Sequence, residues 1–306
     1  IQPPAVPCEL DPDYLATIFA QERAKIEKLP LFQVQHHHAH LAACLADNGW
    51  DHLDSVIGLI YDGTGYGTDG TIWGGEVLLG GYQGFQRIFH LAQVPLPGGD
   101  ASVRKVSRMA LAHLWQAGIA WESDLPPVLD LSAQERAALL VQLERHINTP
   151  LTSSMGRLFD AAAALTGIRQ DATYEGQAAI EFESMVDPDE DGYYRLSIDT
   201  TSFNAKPIWE GLLRDRRSGL SLPRLAARFH NSITQLNLEL CQRARQSYGA
   251  NTVALSGGVW QNQVLLQNTT HLLTRNGFHI LRHHLVPTND GGISLGQAVI
   301  AAALYK

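Results

Sequence analysis

Two glycine-rich turns, far apart in the chain, constrain the fold more than any other feature of the sequence. The first, at residues 62–70, joins two apolar runs, which predicts a β-hairpin. The second, Gly257-Gly258, follows an apolar run and precedes a helical pattern over 259–275. A strand, a glycine turn and a helix in this order form an α/β unit whose turn offers backbone N–H groups to an anion.

The hydrophobic periodicity elsewhere predicts a mixed α/β chain without a short-period repeat. The predicted strands cover residues 55–61, 71–80, 85–90, 252–256 and 278–281. The predicted helices cover residues 36–46, 101–117, 133–147, 155–166, 175–185, 222–247, 259–275 and 292–305.

Four histidines in five residues begin the first of these helices, in the run HHHAH at 36–40. Positions four apart share a helix face, so His36 and His40 can bind one metal ion between them. The peptidase pattern H-E-x-x-H has the same spacing but requires Glu directly after the first His, where this chain has His37. The run therefore indicates a metal site and argues against a peptidase.

Composition narrows the choice of partners and compartment. A formal net charge of −8 gives no general surface for polyanions and disfavours nucleic acid as a partner. Cys8, Cys44 and Cys241 form no CxxC pair, which favours a reducing cytoplasm. No apolar run approaches the roughly 20 residues that span a bilayer, so no membrane partner is expected. Because the sequence starts at Ile1 rather than Met, we expect a fragment of a longer multidomain protein.

The paired glycine turns are similar to those of actin-like ATP-binding proteins, which bind nucleotide phosphates between two such loops. The DGTG segment at 62–65 resembles the first phosphate loop, and SGGV at 256–259 resembles the second. This resemblance implies an α/β, actin-like ATPase (ASKHA, Kae1-like) fold, with two RNase H-like subdomains around a nucleotide cleft. We expect subdomain I, with the metal-binding histidines, at 1–105 plus 290–306. Subdomain II, with the nucleotide motifs, is expected at 106–289.

Seven motifs together resemble one family, the [NiFe]-hydrogenase maturation carbamoyltransferases of the HypF type, in their C-terminal Kae1-like region. The motifs lie at 36–40 (HHHAH), 62–65 (DGTG), 95–100 (PLPGGD), 155–160 (MGRLFD), 174–177 (YEGQ), 256–262 (SGGVWQN) and 289–296 (NDGGISLG). They occur in family order over essentially the whole chain. The related tRNA threonylcarbamoyl transferases carry Glu-Gly where this chain has His38-Ala39, which argues against the tRNA enzyme.

The resemblance implies a metal centre. His36, His40 and Asp290 correspond to metal ligands, and Asp62 to the fourth. Tyr61 is a competing fourth ligand, because the tRNA-modifying relatives use a Tyr at the equivalent strand end. Two imidazoles with two carboxylates suit Fe(II) or Zn(II).

The resemblance also implies a site for ATP, AMP or carbamoyl-adenylate, with Mg²⁺ as a further candidate cofactor. Asp160 and Glu175 would hold the ribose hydroxyls, because a carboxylate accepts two hydrogen bonds. The other residues assigned to the nucleotide are Gly63, Thr64, Gly65, Gly156, Gly176, Gly257, Gly258 and Asn262. The family usually has Arg-Glu-Pro-Trp-Arg where this chain has RKVSR at 104–108. Arg104 and Arg108 could therefore bind phosphate or a carbamoyl oxygen, or could simply lie on a solvent-exposed helix face.

The function implied by the family is carbamoyl transfer. The group would pass from carbamoyl-adenylate to the C-terminal cysteine thiol of the partner HypE, with AMP leaving, during synthesis of the cyanide ligands of [NiFe] hydrogenase. A YrdC-like region of the same protein would form the adenylate.

Three alternatives stay open from the residues themselves. One is a small-molecule O-carbamoyltransferase. Another is a non-catalytic actin-like module that binds ATP and gates a partner. A kinase is the weakest, since a histidine metal pair has no place in its mechanism.

Overall fold

The computed structural model describes residues 4–305, so Ile1, Gln2, Pro3 and Lys306, which belong to the expected subdomain I, lie outside the described residues. The chain forms two compact units. Unit 1 comprises the described residues of Ile1–Ile88, Cys241–Gln261 and Leu273–Lys306, and unit 2 comprises Phe89–Leu240 and Asn262–Leu272.

Strands and helices alternate through much of the chain. The strands are β1 (Val6–Glu9), β2 (Leu31–Val34), β3 (Val56–Tyr66), β4 (Ile72–Gly81), β5 (Gly84–Leu91), β6 (Val94–Pro95), β7 (Leu151–Thr152), β8 (Ser197–Ile198), β9 (Ser202–Asn204), β10 (Thr252–Ser256) and β11 (His279–Arg282). The helices are α1 (Leu15–Glu27), α2 (His36–Asp47), α3 (Asp100–Arg104), α4 (Val106–Gln116), α5 (Pro126–Asp130), α6 (Ala133–Arg145), α7 (Met155–Thr166), α8 (Gln177–Ser184), α9 (Lys206–Arg217), α10 (Leu222–Tyr248), α11 (Gln263–Arg275) and α12 (Ile293–Leu304). Two short 3₁₀ helices occupy Gly258–Gln261 and Asp290–Gly292.

The main sheet of unit 1 has the strand order β11-β10-β3-β4-β5. β10 pairs in parallel with both β11 and β3, whereas β3 and β4 pair antiparallel. The face of α2 that carries Leu41 and Leu45 packs on this sheet, against Ile60, Leu78 and Leu281. A separate parallel pair, β1 and β2, leads directly into α2.

The start of α2 is fixed by a cap and by a close helix contact. The side chain of Gln35 accepts a hydrogen bond from the backbone N–H of His38 at 2.9 Å, which satisfies one of the free donors at the helix start. On the other side, Gly296 of α12 lies against the carbonyl group of Ala39, where any Cβ would clash with that oxygen. The first turn of α2 is therefore held at a fixed place in unit 1.

The first glycine motif differs from its predicted turn. β3 continues through the DGTG segment to Tyr66, with a register shift between Tyr61 and Gly65, and the turn itself occupies only 67–70. Glycines at these positions permit the irregular pairing of a bulge without ending the strand. Asp62 consequently lies inside a strand rather than in the loop expected for it.

Two predicted helices are broken. The helix expected over 259–275 is a 3₁₀ turn followed by α11, because the side chain of Asn262 accepts a hydrogen bond from the N–H of Leu265 and caps a new helix. The helix expected over 101–117 is interrupted at Lys105, whose ψ of 81° is not helical. Arg104 and Arg108 are thus on different helices and share no helix face.

Unit 2 is mainly helical, and its core surrounds α7. All residues of α7 from Met155 to Leu165 are buried. The ring of Phe159 contacts Phe229 of α10 edge-on, with ring centroids 5.0 Å apart, and Phe182 of α8 contacts the same ring. The small strands of this unit, β6 with β7 and β8 with β9, form antiparallel pairs.

The boundaries of the two units differ from those expected for the two subdomains. Residues 241–261 and 273–289, expected in subdomain II, belong to unit 1, because β10 pairs with β3. Residues 89–105, expected in subdomain I, belong to unit 2. The assignment of the units as actin-like subdomains I and II stays a prediction. None of the helices within residues 4–305 combines the length and the apolar character that crossing a membrane requires.

Candidate metal centre

Four side chains of unit 1 bring potential metal ligands together, and they are the four named from the sequence. His36, His40, Asp62 and Asp290 each offer one ligand atom, and these atoms all lie within 4.8 Å of one another. Three of the four residues are buried and Asp290 is exposed. We call this group the His/Asp cluster.

Asp62 is the residue nearest to both imidazoles. Its Oδ2 atom lies 3.2 Å from Nε2 of His36 and 3.0 Å from Nε2 of His40. The Oδ1 atom of Asp290 approaches the same two nitrogens at 3.5 and 3.4 Å. The two imidazole Nε2 atoms and one oxygen of each carboxylate therefore face a common point.

The other oxygen of Asp62 is held by the backbone. Oδ1 accepts hydrogen bonds from the N–H groups of Gly63, at 2.8 Å, and Gly258, at 3.2 Å. These bonds leave Oδ2 directed at the imidazoles. Both glycine motifs of the sequence thus meet at Asp62.

Tyr61, the competing fourth ligand, lies away from the cluster. Successive residues of a strand point to opposite faces, and the ring of Tyr61 stacks on Trp260 with centroids 5.3 Å apart. Burial raises the pKa of the Tyr61 hydroxyl well above its usual range, so this phenol would be a poor anionic ligand. The geometry favours Asp62.

Burial and the opposite charges of neighbouring groups act against each other on the pKa values within the cluster, and the neighbouring groups decide the direction. Burial would lower the pKa of the His36 and His40 imidazoles, but the adjacent carboxylates of Asp290 and Asp62 raise both above the usual value. Burial would likewise raise the pKa of Asp62, but the two imidazoles hold it well below its usual range. The imidazoles also lower the pKa of Asp290.

This donor set fits a divalent transition metal. Two imidazole nitrogens and two carboxylate oxygens, each from a different residue, are ligands that Fe(II) and Zn(II) accept. A bound cation would take the place of protons on these groups, since ligand histidines must be neutral at the coordinating nitrogen. His36, His40, Asp62 and Asp290 would hold the ion.

His37 and His38, which lie between the two cluster histidines in the sequence, have other contacts. Nε2 of His38 lies 2.7 Å from the carbonyl oxygen of Gly81, and Nδ1 of His37 lies 3.1 Å from Nε2 of Gln35. Burial lowers the pKa of both imidazoles, which favours their neutral forms. Neither belongs to the cluster.

Glu9 is a neighbour of the cluster that the sequence did not reveal. Its Oε1 atom lies 3.4 Å from Nδ1 of His36, the ring nitrogen that faces away from Asp62. The side-chain amide of Gln297 donates a hydrogen bond to the same oxygen at 2.8 Å. A single Glu in a four-residue strand has no motif around it, so only the fold could identify it.

The glycines assigned to nucleotide phosphates surround the cluster. Gly257 has a φ of +106°, and a Cβ there would clash with the carbonyl oxygen of Tyr61. Its N–H donates to the carbonyl oxygen of Thr288 at 3.0 Å. Gly63, Thr64 and Gly65 lie in β3. Their contacts with phosphate stay a prediction.

The residues assigned to the nucleotide sugar lie in unit 2. Asp160 is buried on α7 and pairs with Arg157, whose Nη1 is 3.1 Å from its Oδ2. Burial raises the pKa of Asp160, which the charge of Arg157 opposes. Glu175 is exposed just before Gly176, which has a φ of +75°, and Gly156 is buried in the first turn of α7. Their roles toward ribose stay predictions.

Asn262 already has two partners within unit 2. Besides capping α11, its side-chain Nδ2 lies 3.0 Å from Nε2 of His230. Burial lowers the pKa of His230 to about 4, so the neutral ring can accept this hydrogen bond. A nucleotide contact by Asn262, which stays a prediction, would be additional to this structural role.

The sheet order of unit 1 and the histidine-bearing helix packed on it are those of an α/β protein with the actin-like, Kae1-like fold, as expected from the sequence. A family profile described as "Carbamoyltransferase, Kae1-like Domain, second subdomain" matches residues 58–297, and one described as "HypF Kae1-like domain" matches residues 1–47. The chain belongs to the HypF carbamoyltransferase family.

Similar proteins and solved structures agree with this assignment. "Carbamoyltransferase HypF" of Rhodobacter capsulatus is 40% identical over 306 residues, which cover 99% of this chain and 40% of that protein. "Carbamoyltransferase HypF homolog" of Cupriavidus necator is 36% identical over 97% of this chain and 77% of its own length. This chain thus spans about two fifths of the length of the R. capsulatus protein.

Solved structures match the whole chain as well. The crystal structure of full-length HypF in the phosphate- and nucleotide-bound form superposes with a TM-score of 0.92 at 38% identity, covering 100% of this chain and 48% of that one. The crystal structure of T. kodakarensis HypF gives a TM-score of 0.82 at 31% identity, over 96% of this chain and 40% of that one. These matches confirm the fold predicted from the sequence.

Proposed function

We propose that this chain transfers a carbamoyl group from carbamoyl-adenylate to the C-terminal cysteine thiol of a HypE-like acceptor protein. The observation that carries the proposal is the His/Asp cluster, whose four ligand atoms lie within 4.8 Å of one another. Membership in the carbamoyltransferase family supports the type of reaction.

In the proposed step the acceptor sulfur attacks the carbamoyl carbon, the bond from that carbon to the phosphate oxygen breaks, and AMP leaves. A divalent metal held by the cluster would supply positive charge to the carbonyl oxygen as negative charge develops there. The thiol proton passes to solvent before attack, because the thiolate is the reactive form.

The chain's own residues have three tasks in this proposal. His36, His40, Asp62 and Asp290 hold the metal. Asp160 and Glu175 accept hydrogen bonds from the ribose hydroxyls. The glycine segments let the nucleotide phosphate approach the backbone closely, which needs the absence of a Cβ at Gly257 and Gly258.

Two partners complete the reaction. The adenylate would come from a YrdC-like region, and the acceptor would be a protein ending in cysteine. Membership in the family and the share of its relatives that the chain spans support this division. The chain by itself is expected to transfer a preformed carbamoyl group but not to make carbamoyl-adenylate from carbamoyl phosphate and ATP.

The test supplies carbamoyl-adenylate, generated by a separate YrdC-like domain, to this chain and a HypE-like acceptor. Intact-mass spectrometry then measures the carbamoyl adduct on the acceptor. We expect an adduct with the wild-type chain, and none with a His36→Ala/His40→Ala variant or with an acceptor whose last Cys is replaced by Ala.

Other outcomes select the alternatives. Transfer to a small-molecule hydroxyl but not to the thiol would identify an O-carbamoyltransferase. Bound nucleotide with no transfer to either acceptor, unchanged by the double histidine variant, would identify a non-catalytic ATP-binding module and overturn the proposal.

A further inference from the structure

Glu9 lies beside one imidazole of the His/Asp cluster, that of His36, whose Nδ1 atom is buried and makes no hydrogen bond within residues 4–305, and Gln297 contacts Glu9. The amide of Gln297, on α12, donates to Oε1 of Glu9 at 2.8 Å, and this oxygen lies 3.4 Å from Nδ1 of His36. Glu9 is only 6% exposed and His36 only 2%, so water has little access to the space between them. The contact between Glu9 and His36 is thus buried behind the cluster.

The position of Glu9 follows from strand pairing. β1 and β2 are parallel, and their register places Glu9 opposite Val34, two residues before His36. The end of β1 therefore lies beside the first turn of α2. In addition, the N–H of Leu10 donates to the carbonyl oxygen of Val34 at 3.0 Å, which fixes the backbone after Glu9.

The two nitrogens of His36 face different carboxylates. Nε2 faces Asp62 and Asp290 within the cluster, whereas Nδ1 faces Glu9 outside it. A histidine that ligates through Nε2 carries its proton on Nδ1. An acceptor at Nδ1 selects this tautomer, orients the ring and makes Nε2 a stronger ligand.

Within residues 4–305, both ion pairs of the His40 ring involve its Nε2 atom. No carboxylate of these residues forms an ion pair with its other ring nitrogen, Nδ1. The two histidine ligands are therefore unequal. His36 has a carboxylate on each side, and the second carboxylate is kept in place by an amide rather than by a cation.

We propose that Glu9 is a positioning residue for the metal centre, which accepts the Nδ1 proton of His36 and is itself oriented by Gln297. The proposal rests on the metal site of the proposed function. It adds a residue outside the four ligands whose effect is on metal affinity, so it can be tested without measuring carbamoyl transfer.

The first test is Zn²⁺ affinity, measured by competition with a chromophoric chelator at neutral pH. Loss of an outer carboxylate partner typically weakens metal binding by about 10- to 100-fold, which we expect for Glu9→Ala. Glu9→Gln, which keeps the shape but not the charge, should weaken it by about tenfold. The control is Glu22→Gln, an exposed Glu of α1, which should bind as tightly as the wild type.

A double variant tests whether Gln297 acts on His36 through Glu9. Gln297→Leu should weaken Zn²⁺ binding less than Glu9→Ala, because the carboxylate remains but loses its orienting donor. Glu9→Ala/Gln297→Leu should bind no more weakly than Glu9→Ala, since Gln297 acts only through Glu9. Fully additive losses would contradict this order.

A proton NMR measurement separates positioning from general stability. The Zn²⁺-loaded wild type should show a slowly exchanging, downfield Nδ1–H resonance from His36, which Glu9→Gln shifts and Glu9→Ala abolishes. Thermal denaturation of the metal-free proteins verifies that the Glu9→Gln variant folds like the wild type, should Glu9→Ala not fold.

The outcomes distinguish the two proposals. If the wild type binds Zn²⁺ and Glu9→Ala binds it equally well, Glu9 has no positioning role while the metal site stands. If neither the wild type nor any variant binds Zn²⁺ or Fe²⁺, the metal centre itself fails, and this inference fails with it.

Discussion

The backbone N–H of Gly258 donates a hydrogen bond to Oδ1 of Asp62, a residue 196 positions earlier in the chain. This bond joins the strand motif DGTG to the later SGGV motif at the carboxylate closest to both imidazoles. The two motifs that resemble phosphate loops thus also hold Asp62 in its position in the His/Asp cluster.

Asp62→Asn should weaken metal binding by at least about tenfold, whichever way the amide is turned. If the amide oxygen keeps its bonds from Gly63 and Gly258, the NH₂ group faces the imidazoles and cannot ligate. If the oxygen faces the metal, both backbone donors lose their acceptor. Zn²⁺ competition titration measures the loss.

Asp51→Asn, at an exposed position, is the matched control for this change and should leave affinity unaltered. Unchanged affinity in Asp62→Asn itself would exclude Asp62 as a ligand and reopen the assignment of the fourth position.

Gly65→Ala should displace the imidazoles of His36 and His37 by steric contact alone. A Cβ on Gly65 would lie 2.5 Å from Cε1 of His37 and 2.7 Å from Cδ2 of His36, so both rings must shift. We expect a loss of about 1–3 kcal/mol in free energy of unfolding, as for overpacked cores, together with weaker Zn²⁺ binding.

Gly84→Ala is the control for added bulk in a strand, because a Cβ there meets nothing within 4 Å. Urea denaturation and Zn²⁺ titration of both variants should separate them. If both variants have the same free energy of unfolding and the same Zn²⁺ affinity, β3 can move away from α2 without loss of stability.

Asp160→Asn should destabilise unit 2 by about 3–5 kcal/mol, because it leaves the buried guanidinium of Arg157 without its anionic partner. Adding Arg157→Met removes the unpaired charge and should restore most of the stability. Chemical denaturation of the wild type, the single variant and the double variant measures both effects.

The double variant also tests the proposed ribose contact of Asp160. If it is stable yet binds AMP more weakly than the wild type in calorimetry, the pair of Asp160 and Arg157 contributes to nucleotide binding. AMP affinity equal to that of the wild type would restrict Asp160 to pairing with Arg157.

His113→Leu should make the protein less sensitive to acid. Burial lowers the pKa of His113 in the folded protein to about 3, whereas the unfolded chain binds the proton near the ordinary value of about 6.5. Its stabilising contribution is therefore complete above about pH 6.5 and is lost as the pH falls toward the folded pKa.

Urea denaturation at about pH 7 and about pH 5 tests this sign. The wild type should lose about 2 kcal/mol more free energy of unfolding between these values than His113→Leu does. The buried Nε2 of His113 makes no hydrogen bond within residues 4–305, so Leu should also be tolerated at neutral pH. Equal losses in both proteins would show that His113 is protonated in the folded state.

The sequence predicted the cluster because its members carry local signals. His36 and His40 show the helical spacing, and the motifs around Asp62 and Asp290 are typical of the family. Long helices such as α7 and α10 were likewise predictable, since their apolar periodicity extends over several turns.

Other features depend on contacts that no local pattern contains. β3 continues past Asp62 because pairing with β4 resumes at Gly65, which glycine content alone cannot reveal. α1 escaped prediction because it exposes large residues such as Leu15 and Phe19 and buries small ones such as Ala20. Glu9 reaches His36 only through the pairing of β1 with β2.

The backbone contact between Gly296 and the carbonyl group of Ala39 leaves no space for a side chain between α12 and α2. Ala39 lies between the two imidazole ligands, and Gly296 lies on the helix that follows Asp290. The helix that carries both imidazoles and the helix that follows Asp290 are therefore held at backbone contact distance. Any larger residue at Gly296 would push these two helices apart and, with them, the imidazoles and Asp290.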